Sequence, residues 1–379
     1  MVEIHGDCDP RFERVREAFA ANFDQGLDAG ASVAVTVRGE PVVDLWGGGA
    51  NDDGTRPWER DTIVNVYSTT KTMTAVCALV LADRGELDFW APVAKYWPEF
   101  AANGKEKIEV RHLMSHTAGL PGWDTQITVE DLYDWEKVTS LLAAQAPWWE
   151  PGTASGYHAI TQGNLVGEVV RRISGKSLGQ FFASEVAGPL GADFYIGLDA
   201  KHDARVADLI PPTELGGALA AGADTVAGRV FRWPTMNALD SRTRGWRAAE
   251  IPAANGHGNA RSIARVHTAL ANGGEAWGKQ LLSSKGCDTI FEEQINNTDL
   301  VLGMPLRHGI GFGLNSPEAP LGPNPRTCYW GGWGGSLALI DFDAHVVIAF
   351  AMTKMNSTTT GDMRTVGIGQ AVYQSLASA

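Results

Sequence analysis

The chain has 379 residues, of which 44% are hydrophobic and 20% are charged, and its formal net charge is −13 at pH 7. This length allows a large hydrophobic core and predicts two domains, and the composition is typical of a globular protein in water. The negative charge argues against nucleic acid and against anionic membranes as partners.

The N-terminal sequence MVEIHGDCDPRFERV lacks the basic start and the apolar segment of a signal peptide. No apolar run reaches the roughly 18 residues that a membrane span needs. The four cysteines are far apart and form no metal-binding spacing; they are Cys8, Cys77, Cys287 and Cys328. We therefore expect a cytoplasmic protein with reduced thiols.

The first elements along the chain are a helix and a hairpin. Residues 10–25 (PRFERVREAFAANFDQ) have apolar side chains at helical spacing and predict an amphipathic helix. The next segment, ASVAVTVRGEPVVDLWGG (31–48), predicts a β-hairpin that turns at Arg38-Gly39-Glu40. Residues 59–65 predict another short extended piece.

The middle of the chain is predicted to be helical and the end to be mostly strands. The segments with helical spacing are 110–116, 130–145, 160–174, 178–190 and 260–274. Strand-like runs follow at 308–315, 327–332, 335–342 and 345–354, with a turn at 343–345, and a helix is predicted over 362–377.

Strands near both ends of the chain predict an α+β fold. The simplest arrangement is one antiparallel sheet built from both chain ends and flanked by helices, with a mainly helical domain inserted. We place the sheet domain at 1–85 and 281–379, the helical domain at 86–280, and the functional site at their junction.

Ser68 and Lys71 stand three residues apart at the start of a long apolar helical segment, VYSTTKTMTAVCALVLADRGELD (66–88). Helical positions i and i+3 share a face. A serine hydroxyl needs an adjacent base to become a nucleophile, and a partly desolvated lysine can have a pKa low enough to accept a proton. Taken alone, the tetrad is better explained as a chance match at a helix start, where Ser and Thr are common.

Two later stretches can bring further groups to such a site. Tyr157 lies in a Gly/Ser-rich loop before a predicted helix, where a phenol can face a cleft. In YWGGWGGSLALI (329–340), each of two tryptophans precedes a glycine pair on a predicted strand, which lets another group approach the backbone. A packed tyrosine and a bulged strand would explain the same residues.

The ordered set Ser68-Thr-Thr-Lys71, Tyr157 and Trp330-Gly331-Gly332 resembles the three-motif signature of the serine β-lactamase and penicillin-binding-protein superfamily. It resembles more specifically the family VIII carboxylesterases, which have a class C β-lactamase-like fold. The stretches 110–123 and 255–274 are similar to segments of that group. The resemblance covers nearly the whole chain.

Two motifs depart from the β-lactamase pattern. The second motif is Tyr157-His158-Ala159 where β-lactamases have Tyr-x-Asn, and the third is Trp330-Gly331-Gly332 where Lys-Thr-Gly is usual. Trp333-Gly334-Gly335-Ser336 is an alternative register for the third motif. We prefer 330–332 because it leaves 336–342 as uninterrupted strand.

The resemblance implies a serine carboxylesterase that forms an acyl-enzyme on Ser68, with Lys71 and Tyr157 sharing the proton transfers. Which of the two is the resting base stays open, because close titratable groups behave as a coupled set. The oxyanion hole would be the backbone N–H groups of Ser68 and Trp333. No metal or organic cofactor is needed.

The third motif also implies a substrate class. Trp330 replaces a cation by apolar surface, so we expect neutral esters of short-chain acids, a small-molecule substrate. The expected substrate-binding residues are Trp330, Gly331, Gly332, His158 and Trp148. The alternatives are a β-lactamase or D-Ala-D-Ala peptidase, an acyltransferase on the same scaffold, and an inactive binding module.

Other motif-like stretches are judged accidental. Gly175-Lys176-Ser177-Leu178-Gly179 matches the G-x-S-x-G nucleophile elbow, but it lies between two predicted helices and not after a strand. The same Gly-Lys-Ser lacks the preceding glycine of a P-loop. His112 and His116 are four residues apart without a third ligand, so we interpret them as structural. His257 is a weaker candidate than His158 for lining the cleft.

Overall fold

The computed structural model describes residues 2–357 and 362–378. Its α-helices are α1 (Glu13–Asp24), α2 (Thr70–Asp83), α3 (Val110–Met114), α4 (Trp135–Ala144), α5 (Thr161–Ser174), α6 (Leu178–Phe181), α7 (Gly188–Leu190), α8 (Val226–Val230), α9 (Arg244–Ala248), α10 (Ala260–Ala271), α11 (Ser284–Asp288) and α12 (Met363–Ala377). A π-helical segment, Phe182–Ala187, joins α6 to α7.

The strands of the described residues form one large sheet and two short pairs. They are β1 (Ile4–Cys8), β2 (Gly30–Val37), β3 (Glu40–Gly48), β4 (Val64–Asn65), β5 (His257–Gly258), β6 (Glu275–Ala276), β7 (Lys279–Gln280), β8 (Ile295–Thr298), β9 (Pro305–His308), β10 (Gly313–Leu314), β11 (Thr327–Gly331), β12 (Leu337–Asp341) and β13 (Val346–Met352). The large sheet has nine strands in the order β1-β3-β2-β13-β12-β11-β10-β9-β8.

Both ends of the chain meet in this sheet, where β2 pairs with β13 so that Val33 lies opposite Phe350. All of its strand pairs are antiparallel. The β2–β3 turn uses Arg38 (φ 50°) and Gly39 (φ 87°), two consecutive positive φ angles that match the twist of a tight hairpin. The predicted fold class, an antiparallel sheet built from both chain ends and flanked by helices, is confirmed.

Helices cover the sheet and surround one central helix. α10 packs against β2, β12 and β13, whereas α1 packs against α12 and the strand pair β1–β3. Every residue from Thr70 to Leu81 in α2 is buried, which is the pattern of a helix with neighbours all round. Those neighbours are α5, α11 and the π-helical segment. The domain boundaries stay a prediction. One helix of the predicted helical domain (86–280), α10, packs on the sheet.

Three local predictions differ from the structure. β1 and β8 were not predicted, because IHGDC and INNT are polar and show only a weak strand pattern. Both are edge strands of the sheet, where polar side chains are tolerated and discourage further pairing. The extended piece at 59–65 shrinks to β4, which pairs with β5. Within the described residues, every helix is too short or too polar to cross a bilayer.

Candidate active site

Ser68 lies in a single 3₁₀ turn, Tyr67–Thr69, that leads directly into α2. From Thr62 to Leu81 it is the one residue that is not buried. The turn ends a short strand and starts a helix that points into the protein interior. A serine hydroxyl is therefore presented to a cleft at the N-terminus of a buried helix, where the first backbone N–H groups have no helical partner.

Lys71 and Tyr157 converge on the Ser68 hydroxyl. Lys71 Nζ lies 3.1 Å from Ser68 Oγ and 2.9 Å from Tyr157 OH. The Tyr157 phenol donates a hydrogen bond to Ser68 Oγ at 2.6 Å. The three functional atoms form a triangle in which each is within hydrogen-bond distance of the other two, which is the geometry that nucleophilic catalysis requires.

Lys71 is buried without a carboxylate beside its amine. Its Nζ donates to the backbone carbonyls of Ala159 (2.7 Å) and Ala253 (3.0 Å). Burial lowers the pKa of Lys71 well below its ordinary value of 10.5. The same burial raises the pKa of Tyr157 above its ordinary value of 10. Desolvation disfavours the charged form of each group, so a neutral amine and a neutral phenol are favoured together.

The third motif brings the strand β11 next to the Ser68 turn. Gly332 comes directly after β11 and lies against the backbone that leads into the Ser68 turn. A Cβ at position 332 would lie 2.1 Å from the carbonyl oxygen of Val66. Ser336 Oγ donates to the same carbonyl at 2.7 Å and ties the two segments together. Among the described residues, nothing accepts a hydrogen bond from the Trp333 N–H. Only glycine fits at position 332, and the next N–H is left available.

Trp330 and Tyr157 pack together beside the cleft. The Trp330 side chain is 5% exposed, and its ring centroid lies 5.6 Å from that of Tyr157, 5.5 Å from His116 and 5.3 Å from His308. With Gly331 and Gly332, these two rings line one end of a cavity of about 250 Å³. Trp330 thus combines a packing role with contact to the cleft.

His158 does not reach the cleft, and its predicted substrate contact is wrong for a physical reason. The side chain is fully buried. Its Nε2 accepts a hydrogen bond from the Leu120 N–H (3.1 Å), and its Nδ1 is bonded to the Gly156 carbonyl (2.6 Å). Both ring nitrogens are therefore used to hold loops together. His257, the weaker candidate, is also fully buried.

Trp148 lies in the wall of a second cavity. This cavity measures about 420 Å³, and its wall includes Trp123, Trp148, Trp149, Arg229 and Trp233. The Arg229 guanidinium stacks 3.7 Å from the centroid of the Trp148 ring. Trp148 also packs against the cluster that contains Tyr157 and Trp330. Its role in binding substrate stays a prediction.

Ser177 occupies a helix cap and not a nucleophile elbow. It is the N-cap of α6, and its hydroxyl donates to Glu250 Oε1 at 2.6 Å. The preceding element is α5, which ends at Ser174, so the strand that the elbow needs is absent from this described segment. The G-x-S-x-G match is accidental, as predicted.

Two positioning residues were missed by sequence reasoning. Asp299, in the turn between β8 and β9, accepts hydrogen bonds from the backbone N–H groups of Tyr157 (3.0 Å), Val301 (2.9 Å) and Leu302 (2.9 Å). Asp299 therefore holds the Tyr157 loop in place, although the two residues are 142 positions apart in the sequence. No local pattern could have indicated this contact.

The other positioning residue is Tyr67, which directly precedes Ser68 in the chain. Its backbone φ angle is 42°. Bulky residues rarely adopt this left-handed conformation, and such positions persist only where the surroundings hold them. The Tyr67 ring packs against Trp246 and Trp333, with centroids 6.2 and 5.0 Å away. These contacts set the direction in which the chain enters the Ser68 turn.

Comparison with known proteins identifies the family. A family model described as Beta-lactamase matches residues 19–373. The chain belongs to the beta-lactamase family. A similar curated protein is Esterase/beta-lactamase LipL of Mycobacterium tuberculosis (strain ATCC 25618 / H37Rv), which is 36% identical over 99% of this chain and 89% of LipL.

Solved structures of this family share the whole fold. The crystal structure of a family VIII carboxylesterase has a TM-score of 0.93 and 46% identity, and the match covers 98% of this chain and 100% of that one. A novel penicillin-binding protein homolog from Caulobacter crescentus has a TM-score of 0.91 and 38% identity, with the same coverage. The resemblance drawn from the three motifs is confirmed, and the chain is a β-lactamase-like hydrolase.

Proposed function

We propose that this protein of the beta-lactamase family is a serine carboxylesterase that hydrolyses neutral esters through an acyl-enzyme on Ser68. The observation that carries the proposal is the triangle of Ser68 Oγ, Lys71 Nζ and Tyr157 OH, with sides of 3.1, 2.9 and 2.6 Å, around a single partly exposed hydroxyl. The esterase names of LipL and of the family VIII structure support an ester as the substrate.

Lys71 is the resting base in this proposal. Carbonyl oxygens can only accept hydrogen bonds, so the contacts to Ala159 and Ala253 use two N–H groups of the amine. A neutral amine has two such groups and one lone pair. Both N–H groups are then committed, and the Tyr157 phenol donates its proton to Ser68 Oγ. The lone pair of the amine is therefore left to accept the proton of the Ser68 hydroxyl, 3.1 Å away. The lowered pKa of Lys71 and the raised pKa of Tyr157 support the same assignment.

Acylation begins when Ser68 passes its proton to Lys71 and its Oγ attacks the ester carbonyl carbon. The carbonyl oxygen becomes an oxyanion that the backbone N–H groups of Ser68 and Trp333 bind; one such donor stabilises the transition state by about 3–4 kcal/mol. The C–O bond to the alcohol then breaks. The leaving oxygen takes a proton from the Tyr157 phenol, which Lys71 replenishes, and the alcohol departs.

Deacylation repeats these transfers with water. Lys71, again neutral, accepts a proton from a water molecule as the water oxygen attacks the acyl carbon. The bond to Ser68 Oγ breaks, Oγ regains a proton through Tyr157 and Lys71, and the carboxylic acid leaves. Bond making and proton transfer balance over the two half-reactions, and the same base serves both.

Trp330 favours neutral esters over anionic substrates. Its apolar ring stands where a lysine of the third motif would offer a positive charge, and its ring neighbours include His116 and His308. Burial lowers the pKa of both histidines, so they do not supply that charge either. β-Lactam hydrolysis on the same serine is the second candidate, because LipL carries both names; turnover of nitrocefin measures it.

The deciding experiment compares Ser68→Ala with Ser177→Ala, which remove the same atom at the two candidate nucleophiles. We expect Ser68→Ala to lower kcat/KM for p-nitrophenyl acetate by about 10⁴-fold or more. Ser177→Ala should stay within about threefold of the parent, since it removes only a helix cap worth about 1 kcal/mol of stability. An active Ser68→Ala enzyme would overturn the proposal, as would mass mapping of a fluorophosphonate label to a residue other than Ser68.

A further inference from the structure

An apolar groove leads away from the catalytic triangle between the sheet and the C-terminal helix. Its inner part is the cavity of about 250 Å³ that begins at Tyr157, Trp330 and Gly332. Its outer part is a cavity of about 510 Å³ between β12, the 320–323 loop and α12. The two parts share Pro320, Leu321, Leu337, Thr365 and Val366 as wall residues. They therefore adjoin, and we refer to them together as the α12 groove.

Most of the α12 groove wall is hydrocarbon. Besides the shared residues, the inner part is lined by Leu302, Met304 and Leu306 from the β8–β9 hairpin, and the outer part by Leu339 and Ile348 from the sheet. Val366 on α12 is 37% exposed where it faces the junction of the two parts. An exposed valine on the wall of an apolar cleft is a surface that a ligand can cover.

Ser336 and Asp362, two polar side chains of the inner wall, are already bound to other groups of the protein. Ser336 Oγ donates to the Val66 carbonyl. Asp362 forms an ion pair with Arg364 and accepts a hydrogen bond from Asn356 Nδ2 at 2.8 Å. These contacts neutralise the carboxylate and leave little reason for a charged group to enter, whereas burying methylene groups is favourable by about 0.8 kcal/mol each.

We propose that the α12 groove binds an unbranched apolar chain of medium length that is part of the ester attacked by Ser68. The inference rests on the proposed function, because the groove starts at the phenol that contacts Ser68 Oγ and at the glycine beside the expected oxyanion site. It replaces the expectation of short-chain substrates, which came from the apolar surface that Trp330 offers in place of a cation. The chain belongs either to the acid or to the alcohol, and two substrate series separate these sources.

The first series is p-nitrophenyl acetate, butyrate, hexanoate and octanoate, which lengthens the acid. The second series is methyl, butyl, hexyl and octyl acetate, which lengthens the alcohol. Hydrolysis of these esters is measured by the release of acid. In the series that lengthens the chain bound in the groove, kcat/KM should rise about fourfold per added methylene until the groove is filled. All esters are kept below the concentration at which they form micelles. Equal kcat/KM across both series would overturn the proposal.

Val366→Trp narrows the groove at the junction of its two parts, and Met363→Trp is the matched control. Met363 lies on the same helix, is 77% exposed and does not line the groove. We expect Val366→Trp to lower the octanoate-to-acetate ratio of kcat/KM, or the corresponding octyl-to-methyl ratio, at least about tenfold. Met363→Trp should leave that ratio unchanged. Val366→Asp, which places a charge on the wall, should lower the ratio as well.

The outcomes separate the groove from the proposed function. If Ser68→Ala abolishes acetate hydrolysis but Val366→Trp and Met363→Trp have the same chain-length ratio, the groove proposal is wrong and the esterase proposal stands. If acetate hydrolysis does not depend on Ser68, the esterase proposal falls first. A ratio that drops equally in Val366→Trp and Met363→Trp would show an effect of α12 on the fold, and it would also overturn the groove.

Discussion

Lys71 and Arg364 are both buried cationic side chains, and their surroundings are opposite. Lys71 is 1% exposed and Arg364 is 4% exposed. Among the described residues, the hydrogen-bond partners of the Lys71 amine are neutral oxygens, those of two hydroxyls and two backbone carbonyls. The guanidinium of Arg364 forms ion pairs with Asp28, at 2.7 Å, and with Asp362.

The difference decides what each cation can do. Burial opposes the charge on both, but the hydrogen bond with Asp362 and the charge of Asp28 raise the pKa of Arg364 above its ordinary value of 12.5, whereas the pKa of Lys71 falls. Arg364 Nη2 also donates to the Gly334 carbonyl at 2.6 Å and so braces the turn that contains Trp333. A buried cation with counter-ions holds structure, and one without them is ready to exchange a proton.

The largest expected effect is on activity, from Lys71→Met. This variant keeps the length of the side chain but removes the base, so kcat/KM for p-nitrophenyl acetate should fall about 10⁴-fold, while ester binding by the rest of the cleft is retained. Lys105→Met is the matched control. Lys105 is also fully buried, and its Nζ donates to the carbonyl of Ala102 at 2.6 Å, but it does not touch the triangle.

Lys105→Met should keep most of its kcat/KM even if its melting temperature drops. Steady-state kinetics on both variants, with a melting curve for each, makes the comparison. A Lys71→Met enzyme that stays within tenfold of the parent would show that Tyr157 alone carries the proton transfers.

The second effect is on stability, from Arg364→Met. Removing one partner of a buried ion pair leaves two carboxylates without their cation and typically costs about 3–5 kcal/mol. We therefore expect urea unfolding to give a free energy of unfolding lower by that amount. Lys71→Met should change this free energy much less, because the loss of a desolvated amine offsets the loss of its hydrogen bonds. Equal destabilisation by the two substitutions would contradict the contrast between the two cations.

Asp299 extends the comparison to a buried carboxylate near Lys71. Its described hydrogen-bond partners are backbone N–H groups, one of them that of Tyr157, and no cation is among them. Asp299→Ala should lower kcat about 10- to 100-fold with a smaller change in KM, since the Tyr157 loop loses its anchor. Asp299→Asn retains an acceptor oxygen and should recover most of kcat. If Asn and Ala variants behave alike, the carboxylate does not act by positioning Tyr157.

The smallest expected effect is the pH dependence. If neutral Lys71 is the base, as proposed, kcat/KM should rise about tenfold per pH unit below the lowered pKa of Lys71 and level off before pH 10.5. Between the folded and unfolded pKa values the unfolded chain binds more protons, so the free energy of unfolding should also rise with pH in that window. Lys71→Met should show a smaller rise in the free energy of unfolding, because Lys105, whose pKa burial lowers to about 8, still contributes to it. A pH–rate profile without a rising limb would contradict Lys71 as the resting base.

The local features of this protein can be read from its amino-acid sequence. Helical spacing places Lys71 one turn after Ser68, and that relation holds in the structure. The strand pattern near both chain ends predicts the antiparallel sheet, and the absence of a strand before Ser177 excludes the nucleophile elbow. These features follow from short-range periodicity, which a sequence shows directly.

The distant groups that surround the local motif became known only from the folded chain. The carbonyls of Ala159 and Ala253, 88 and 182 residues from Lys71, set its hydrogen bonds. His158 neighbours Tyr157 in sequence but is turned away into the loops, and Asp299 holds Tyr157 from a turn between two edge strands. Burial and hydrogen bonding depend on which segments fold against each other, and backbone carbonyls have no sequence signature. The burial that lowers the pKa of Lys71 therefore comes from the fold and not from the local sequence.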